Sequence, residues 1–591
     1  MMEGGFETGQ TVSTREDPAL GMSHRAKMEI LVAILLALFL GALDQTIVGT
    51  ALPKIVTDLG GNDLYTWVVT IYLLTSTISI PFYGKLSDIY GRKPLLMIGV
   101  SLFLIGSALS GLSQEMWQLI LFRGIQGLGA GALFPISLSV IGDLFSPAER
   151  GKYQGLFGAV FGIAFIIGPA LGGFLTDNVS WHWVFYVNIP IGLVSLYIIW
   201  HLLPTIKRPD ATRTFDVLGA VVFTVGISFL LVGLTNKIGN EWTDVSVGGF
   251  ILIGLVLSVI FAFIESRTSE AIVPIDLWRS RTYAASILST FFVSFGFFGA
   301  IIFLPRFFQV VRGDSATISG YELFPLLIGL IGSSIVAGLI VTRTGRYKVL
   351  VISGLAIMGV GVALMTTITA DMNSQLLWLY MFITGVGIGP TLSVFTIIVQ
   401  NAVPFQRLGV ATSNLTFFRQ IGGSVGLAVA GTAFSTSLTN ILPGQLAPVF
   451  SQIKAQVPPQ FQGQFDQLQN GGGPQLDLNN LTGVGQSVGK AIADAVAAAV
   501  PPDAQAAVHA LFAPFISQID AAFHNAFALA IGQTFQIGVV TTVIAVVIAF
   551  FMRDIPLRRT VGAEAPVPAA AAEPTGRTGE PVLAPIVERA D

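Results

Sequence analysis

Apolar residues in this chain run in long unbroken blocks rather than in alternation with polar ones. Fourteen blocks stand out, at about 29–50, 65–84, 95–112, 116–141, 153–175, 183–203, 216–235, 247–265, 283–305, 319–341, 349–370, 375–398, 409–434 and 526–551. A helix needs about 20 mostly apolar residues to cross a bilayer core of about 30 Å. Continuous runs exclude a transmembrane barrel, whose strands alternate lipid-facing and lumen-facing residues. The first block, from Glu29 to about Leu52, exceeds the core of a cleavable signal peptide and has no small-residue cleavage pattern after it. It reads as a retained span. The pattern predicts an all-α polytopic membrane protein with fourteen transmembrane helices.

Charge then fixes direction. With the N terminus in the cytoplasm, 23 of the 31 Lys and Arg residues fall in inner segments, six in outer ones, and two, Arg123 and Arg419, inside spans. Such a bias toward the cytoplasm sets orientation. Both termini are expected there.

Lengths between blocks suggest a domain plan. Residues 1–28 form a polar tail, 29–203 a six-helix bundle, and 204–282 a linker with two extra spans. Residues 283–435 hold five helices of a second bundle, 436–525 an outer insertion, 526–551 the last span, and 552–591 an inner tail. The insertion is rich in Gln, Ala and Pro, and breaks at Gly471–Gly472–Gly473–Pro474. Its stretches 484–500 and 503–523 carry helical patterning. In the second, Val508, Leu511, Phe515 and Ile519 share a face, and Pro514 is expected to kink or split it. The insertion is either a spacer packed on the outer face or a surface for an outer partner or lipid. The Ala/Pro-rich tail from about 560 is expected to be disordered.

Composition narrows the chemistry. Only 11% of residues are charged, against roughly 25% in soluble proteins. A net charge of −3 gives no basic surface for nucleic acid. With no cysteine there is no disulfide, thiolate metal site or thiol nucleophile. The five histidines show no metal-ligand spacing, and neither a nucleotide-binding loop nor a catalytic triad signature occurs. The expectation is a non-enzyme without cofactor or metal, powered by an ion gradient.

One short pattern repeats. GKLSDIYGRK at 84–93 shares Gly84, Gly91 and Arg92 with Gly338, Gly345 and Arg346 of GLIVTRTGRYK at 338–348, an offset of 254. Each copy follows the second span of a six-span set. Two parallel six-span halves form a transporter architecture, with substrate bound between them near the midplane.

These residues resemble the major facilitator superfamily. The 84–93 segment is similar to its loop signature between spans 2 and 3, and LILFRGIQGLGAGAL (119–133) to its span 4 signature, with Arg123 at the arginine. GIAFIIGPALGGFL (162–175), with Gly162, Gly168, Pro169, Gly172 and Gly173, resembles the span 5 motif associated with antiporters. LDQTIVGTALPKI (43–55), WHWVFYVNIPIG (181–192) and GVATSNLTFFRQIGGSVG (409–426) are similar to the fourteen-span drug:proton antiporter branch. The resemblance implies alternating-access export of small amphipathic compounds in exchange for protons, across a bacterial cytoplasmic (inner) membrane. Export of lipids or cell-envelope precursors is the alternative within transport. A receptor or channel is the alternative outside it.

Asp44 is the most informative residue. It lies about 14 residues into span 1, roughly 21 Å from the inner end. A carboxylate there must face protein or water. Burial favours its protonated form and a nearby cation its carboxylate, so it suits a proton carrier; a hydrogen-bond anchor is the alternative. Arg123 lies about 6 residues from the outer end of span 4, which places it roughly 21 Å from the inner face, at the depth of Asp44. Glu322, about 3 residues into span 10, is either a further proton or cation ligand or an interfacial residue. Gln45, Gln126, Asn414, Phe417 and Arg419 are candidates for the substrate cavity. Family resemblance also implies an inner gate of Gly84, Asp88, Arg92 and Asp143, with an Arg92–Asp143 pair and Asp88 at the N terminus of span 13. In the second copy Thr342 stands in place of Asp88, so this latch should be one-sided.

Overall fold

A computed structural model describes residues 22–60, 64–204, 215–237, 240–268, 271–456 and 502–557, with a few positions between 486 and 497. The chain segments expected at 1–21 and beyond 557, most of the 204–215 loop, and most of the 484–500 helix lie outside these residues. Among the described residues all regular structure is helical, and fourteen helices are long and apolar enough to cross a membrane.

Spans 1 to 6 are His24–Leu59, Tyr65–Tyr90, Arg92–Ser110, Met116–Leu144, Pro147–Asn178 and Trp183–Leu202. Spans 7 and 8 are Val217–Asn236 and Val245–Glu265. Spans 9 to 14 are Arg281–Val311, Thr317–Thr344, Tyr347–Met365, Ser374–Asn401, Leu408–Gln456 and Pro502–Phe550. Many outrun their apolar blocks because polar flanks continue the helix and cap it. Ser23 accepts from Ala26 N at the start of span 1, Ser146 and Glu149 form a capping box on span 5, and Asp216 accepts from Gly219 N on span 7. Span 2 ends at Gly91 and span 10 at Gly345, with φ of 96° and 67°. The repeated glycine therefore supplies the left-handed turn residue in both copies.

Each half has its own buried core. Spans 1 to 6 enclose Leu38, Phe103, Leu133 and Phe185, while spans 9 to 14 enclose Phe307, Met358, Phe395 and Phe527. The two inserted spans form an antiparallel pair. They lie against span 2 of one half and span 13 of the other, burying Leu74, Ile78, Phe223, Phe261, Phe417 and Ile421 together.

The expected division at 435 and 526 does not fall at helix ends. Spans 13 and 14 each run 49 residues without interruption, through Pro443, Pro448 and Pro514. At 1.5 Å per residue each is about 74 Å long, so roughly 40 Å of each projects beyond the hydrocarbon core. The two extensions pack through buried Leu438, Leu446, Val449 and Ile453 against Phe512, Phe515, Ile519 and Phe523. Pro514 lies inside the helix rather than splitting it, and Phe515 and Ile519 form part of the apolar face expected from the pattern.

Candidate functional site

Asp44 and Arg123 meet. Arg123 Nη1 lies 2.5 Å from Asp44 Oδ2, and both side chains are fully buried. Gln126, one turn along span 4, donates from Nε2 to Asp44 Oδ1 at 2.8 Å and accepts from Arg123 Nη1 at 2.8 Å. Asn188 of span 6 donates to Asp44 Oδ1 at 3.3 Å and to Ser107 Oγ of span 3 at 3.0 Å. The Tyr72 ring of span 2 lies 4.1 Å from the guanidinium carbon, a cation–π contact. Five spans thus converge on one ion pair within the N-terminal half. Arg123 and Gln126 are three residues apart on a helix, which puts both on one face.

The gate residues also converge. Arg92 Nε contacts Asp143 Oδ2 at 2.9 Å, its Nη2 lies 2.6 Å from Asp88 Oδ1, and its Nη1 donates to Ser87 Oγ at 2.6 Å. Asp88 reaches across to the other half, where its two oxygens accept from Gly409 N at 3.1 Å and Val410 N at 2.9 Å. Those amides open span 13, where a carboxylate meets unpaired N–H groups and the positive end of the helix dipole. All three charged side chains are buried. Gln154 of span 5 donates to Gln400 of span 12 at 3.0 Å, a second bridge between halves on the same face. This face, which carries the Lys and Arg excess, is closed.

Small residues make the closure possible. A Cβ at Gly84 would lie 2.0 Å from Ser413 Oγ of span 13, and one at Gly338 would lie 1.9 Å from the Gly151 carbonyl oxygen of span 5. The two repeat copies therefore place their first glycine at equivalent crossings, span 2 on span 13 and span 10 on span 5. The latch itself is not repeated: the Thr342 hydroxyl returns to Gly338 O of its own helix, and Arg346 is exposed.

Span 5 is wedged between span 1 and span 10. A Cβ at Gly168 would lie 1.9 Å from Thr46 Oγ1, and one at Gly172 would lie 2.2 Å from Thr50 Oγ1, both on span 1. At Gly162 it would lie 2.3 Å from Ile331 of span 10, and at Gly173 3.3 Å from Thr317. Pro169 sits within the helix beside Gly320 of span 10. The glycines and proline of this motif thus join the helix that carries Asp44 to the opposite half.

The Major Facilitator Superfamily model matches residues 34–427, more than half of the chain. This chain belongs to the Major Facilitator Superfamily. The superfamily assignment agrees with its similarity to the multidrug transporter protein MdtP of Bacillus subtilis (strain 168), 39% identical over 429 residues covering 72% of this chain and 79% of that one. Multidrug resistance protein 3 of the same organism is 36% identical over 428 residues, covering 72% and 82%. The human organic anion transporter MFSD10 (TETRAN) shares the fold, with a TM-score of 0.52 at 15% identity over 69% of this chain and 94% of that one. The chain is a transporter with the fourteen-span superfamily architecture.

Other candidates from the sequence are dispersed within this superfamily fold. Glu322 does not join Asp44; it accepts from Trp378 Nε1 at 2.5 Å, near the opposite end of the spans from the latch. Gln45 is exposed on span 1, one residue from Asp44 but on another side of the helix. Asn414 donates to the Tyr283 hydroxyl at 3.2 Å. Phe417 packs against Phe223 of span 7, with ring centroids 5.2 Å apart. Arg419 lines a small void with Thr290, Ser294 and Thr391 and has no carboxylate partner among the described residues. At 100° per residue, Phe417 and Arg419 stand on opposite faces of span 13. Of the five cavity candidates, Gln126 bonds directly to Asp44, and the Gln45 side chain approaches the Tyr72 hydroxyl beside it. Sequence reasoning missed Tyr72, Ser107 and Asn188, although an asparagine inside an otherwise apolar span was a usable signal for the last.

Proposed function

We propose that the chain is a proton-coupled exporter of small amphipathic compounds, working by alternating access, with Asp44 as proton carrier. The observation that carries this reading is the Asp44–Arg123 pair of spans 1 and 4, buried and held by Gln126, by Asn188 of span 6 and by Tyr72 of span 2. The names of the two Bacillus relatives support the substrate class.

The geometry gives protonation a mechanical consequence. With Asp44 ionised, Arg123 is neutralised in place. Protonation removes the partner charge, and stranding a buried cation costs about 3–5 kcal/mol. The Tyr72 ring and Gln126 Oε1 stay with the guanidinium and offset part of that cost. The remainder favours rearrangement of span 1. Thr46 and Thr50 lie two and six residues past Asp44 on the same helix and contact Gly168 and Gly172, so that movement passes to span 5 and, through Gly162, to the opposite half. Opening toward the cytoplasm then requires Asp88 to leave the amides of span 13.

The outer extension of spans 13 and 14 favours a second reading, delivery of a lipid or envelope precursor beyond the membrane face. Proteoliposomes with an imposed pH gradient separate the two. The proposal expects uphill accumulation of ethidium or tetraphenylphosphonium that collapses when the pH gradient is dissipated. Accumulation indifferent to pH, or translocation of a fluorescent phospholipid alone, overturns it.

A further inference from the structure

Between the inserted spans and the body of the transporter lies a cavity of about 420 Å³. Phe223 of span 7, Phe261 and Glu265 of span 8, Trp278 of the following linker, and Phe417 and Phe418 of span 13 line it. Its volume falls in the range that holds small organic ligands. Ala262 and Ile275 are exposed on its rim, so it opens to the molecular surface. It occupies the half of the membrane next to the latch. Phe417 is nine residues beyond Leu408, about 14 Å along the helix, and Glu265 ends span 8 on the same side.

Glu265 gives this apolar chamber its chemistry. It is 2% exposed and uses its two oxygens to accept Ile272 N at 3.0 Å and Val273 N at 3.3 Å. Each carboxylate oxygen keeps acceptor capacity beyond those bonds. Asp216 and Lys85 act on it with opposite signs. A chamber walled by aromatic rings, with a carboxyl group among its lining, suits an organic cation: the ring faces and the carboxyl oxygens attract positive charge, and the apolar lining accepts the rest of the molecule. A lipophilic anion meets the negative faces of the rings and the carboxyl oxygens.

We propose that this cavity is a second ligand site, which takes lipophilic organic cations from the cytoplasmic leaflet before they reach the path between the halves. Phe417 and Ile421 couple it to the body of the transporter, because the span that forms its wall begins at the amides gripped by Asp88. Its place in transport rests on the export reading; occupancy of the cavity does not.

The test uses full-length protein in phospholipid nanodiscs and a photoactivatable tetraphenylphosphonium, with crosslinks mapped by mass spectrometry. A photoactivatable tetraphenylborate, of the same shape and opposite charge, is the control. Crosslinks are expected within 258–278 and 417–421 for the cation and not for the anion. Glu265→Gln should lower cation labelling there about tenfold, the scale of one desolvated cation contact. Ala262→Trp narrows the rim while keeping the Glu265 carboxyl group, and should block labelling even if Glu265→Gln folds poorly. Asp44→Asn should leave labelling intact, which separates this site from proton coupling. Labelling confined to other spans, or equal labelling by both probes, overturns the proposal. So does wild-type labelling in a folded Glu265→Gln or Ala262→Trp protein.

Discussion

Asp88→Asn perturbs the gate at one atom. The native carboxylate holds two amides of span 13 at 3.1 and 2.9 Å and lies 2.6 Å from Arg92, all in buried surroundings. The amide side chain keeps one carbonyl acceptor, so one of the two amide contacts is lost and the other is no longer charge-assisted. Its NH₂ also faces either an amide or Arg92, neither of which can accept a hydrogen bond. Bonds to a charged group are worth about 1.5–3 kcal/mol, and a charge at a helix N terminus about 0.3–1 kcal/mol more. A loss of about 2–3 kcal/mol from the closed state alone shifts the open-to-closed ratio roughly 30- to 160-fold. Because the chain has no cysteine, spin labels can be placed without background through Tyr90→Cys and Gln406→Cys, at exposed positions on either side of the latch. Pulsed dipolar spectroscopy should show a long-distance population in Asp88→Asn that is minor in the parent, with substrate affinity largely unchanged. An unchanged distance distribution, or lost affinity without a change in distances, refutes the reasoning.

Gly338→Val should pry apart span 5 and span 10 on the same face, because a Cβ there already lies 1.9 Å from Gly151 O; labels introduced by Lys152→Cys and Arg343→Cys should separate. Phe515→Ala should weaken the outer helical pair by about 3–5 kcal/mol and raise its protease sensitivity, while uptake driven through the membrane core continues. Impermeant thiol reagents should label Tyr90→Cys only from the cytoplasmic side and Ser451→Cys only from outside; the reverse pattern inverts the topology.

Much of this was legible in the sequence because a membrane restricts the options. A 20-residue apolar block has one folded outcome, so fourteen blocks became fourteen helices. Depth along a helix is arithmetic, and the equal depths expected for Asp44 and Arg123 correspond to a 2.5 Å contact. What depth does not give is azimuth relative to neighbouring helices. Tyr72, Ser107 and Asn188 completed the Asp44 centre from three other spans, and no local pattern ties those spans to it. For the same reason Phe417 and Arg419, grouped by sequence, face different cavities. Spans 13 and 14 continue into the outer extension because helical spacing persists after 434 while apolar residues thin out, and pairing of the two helices buries the few that remain. The seat of spans 7 and 8 beside the seam of spans 2 and 13 had no sequence signal.

The central claim is that Asp44 exchanges the proton that drives export. The most direct measurement is proton release on substrate binding, by purified protein in weakly buffered solution with a pH indicator, compared between the parent and Asp44→Asn. The account predicts that tetraphenylphosphonium releases protons from the parent, while Asp44→Asn binds it and releases none. Proton release from Asp44→Asn equal to that of the parent would contradict it.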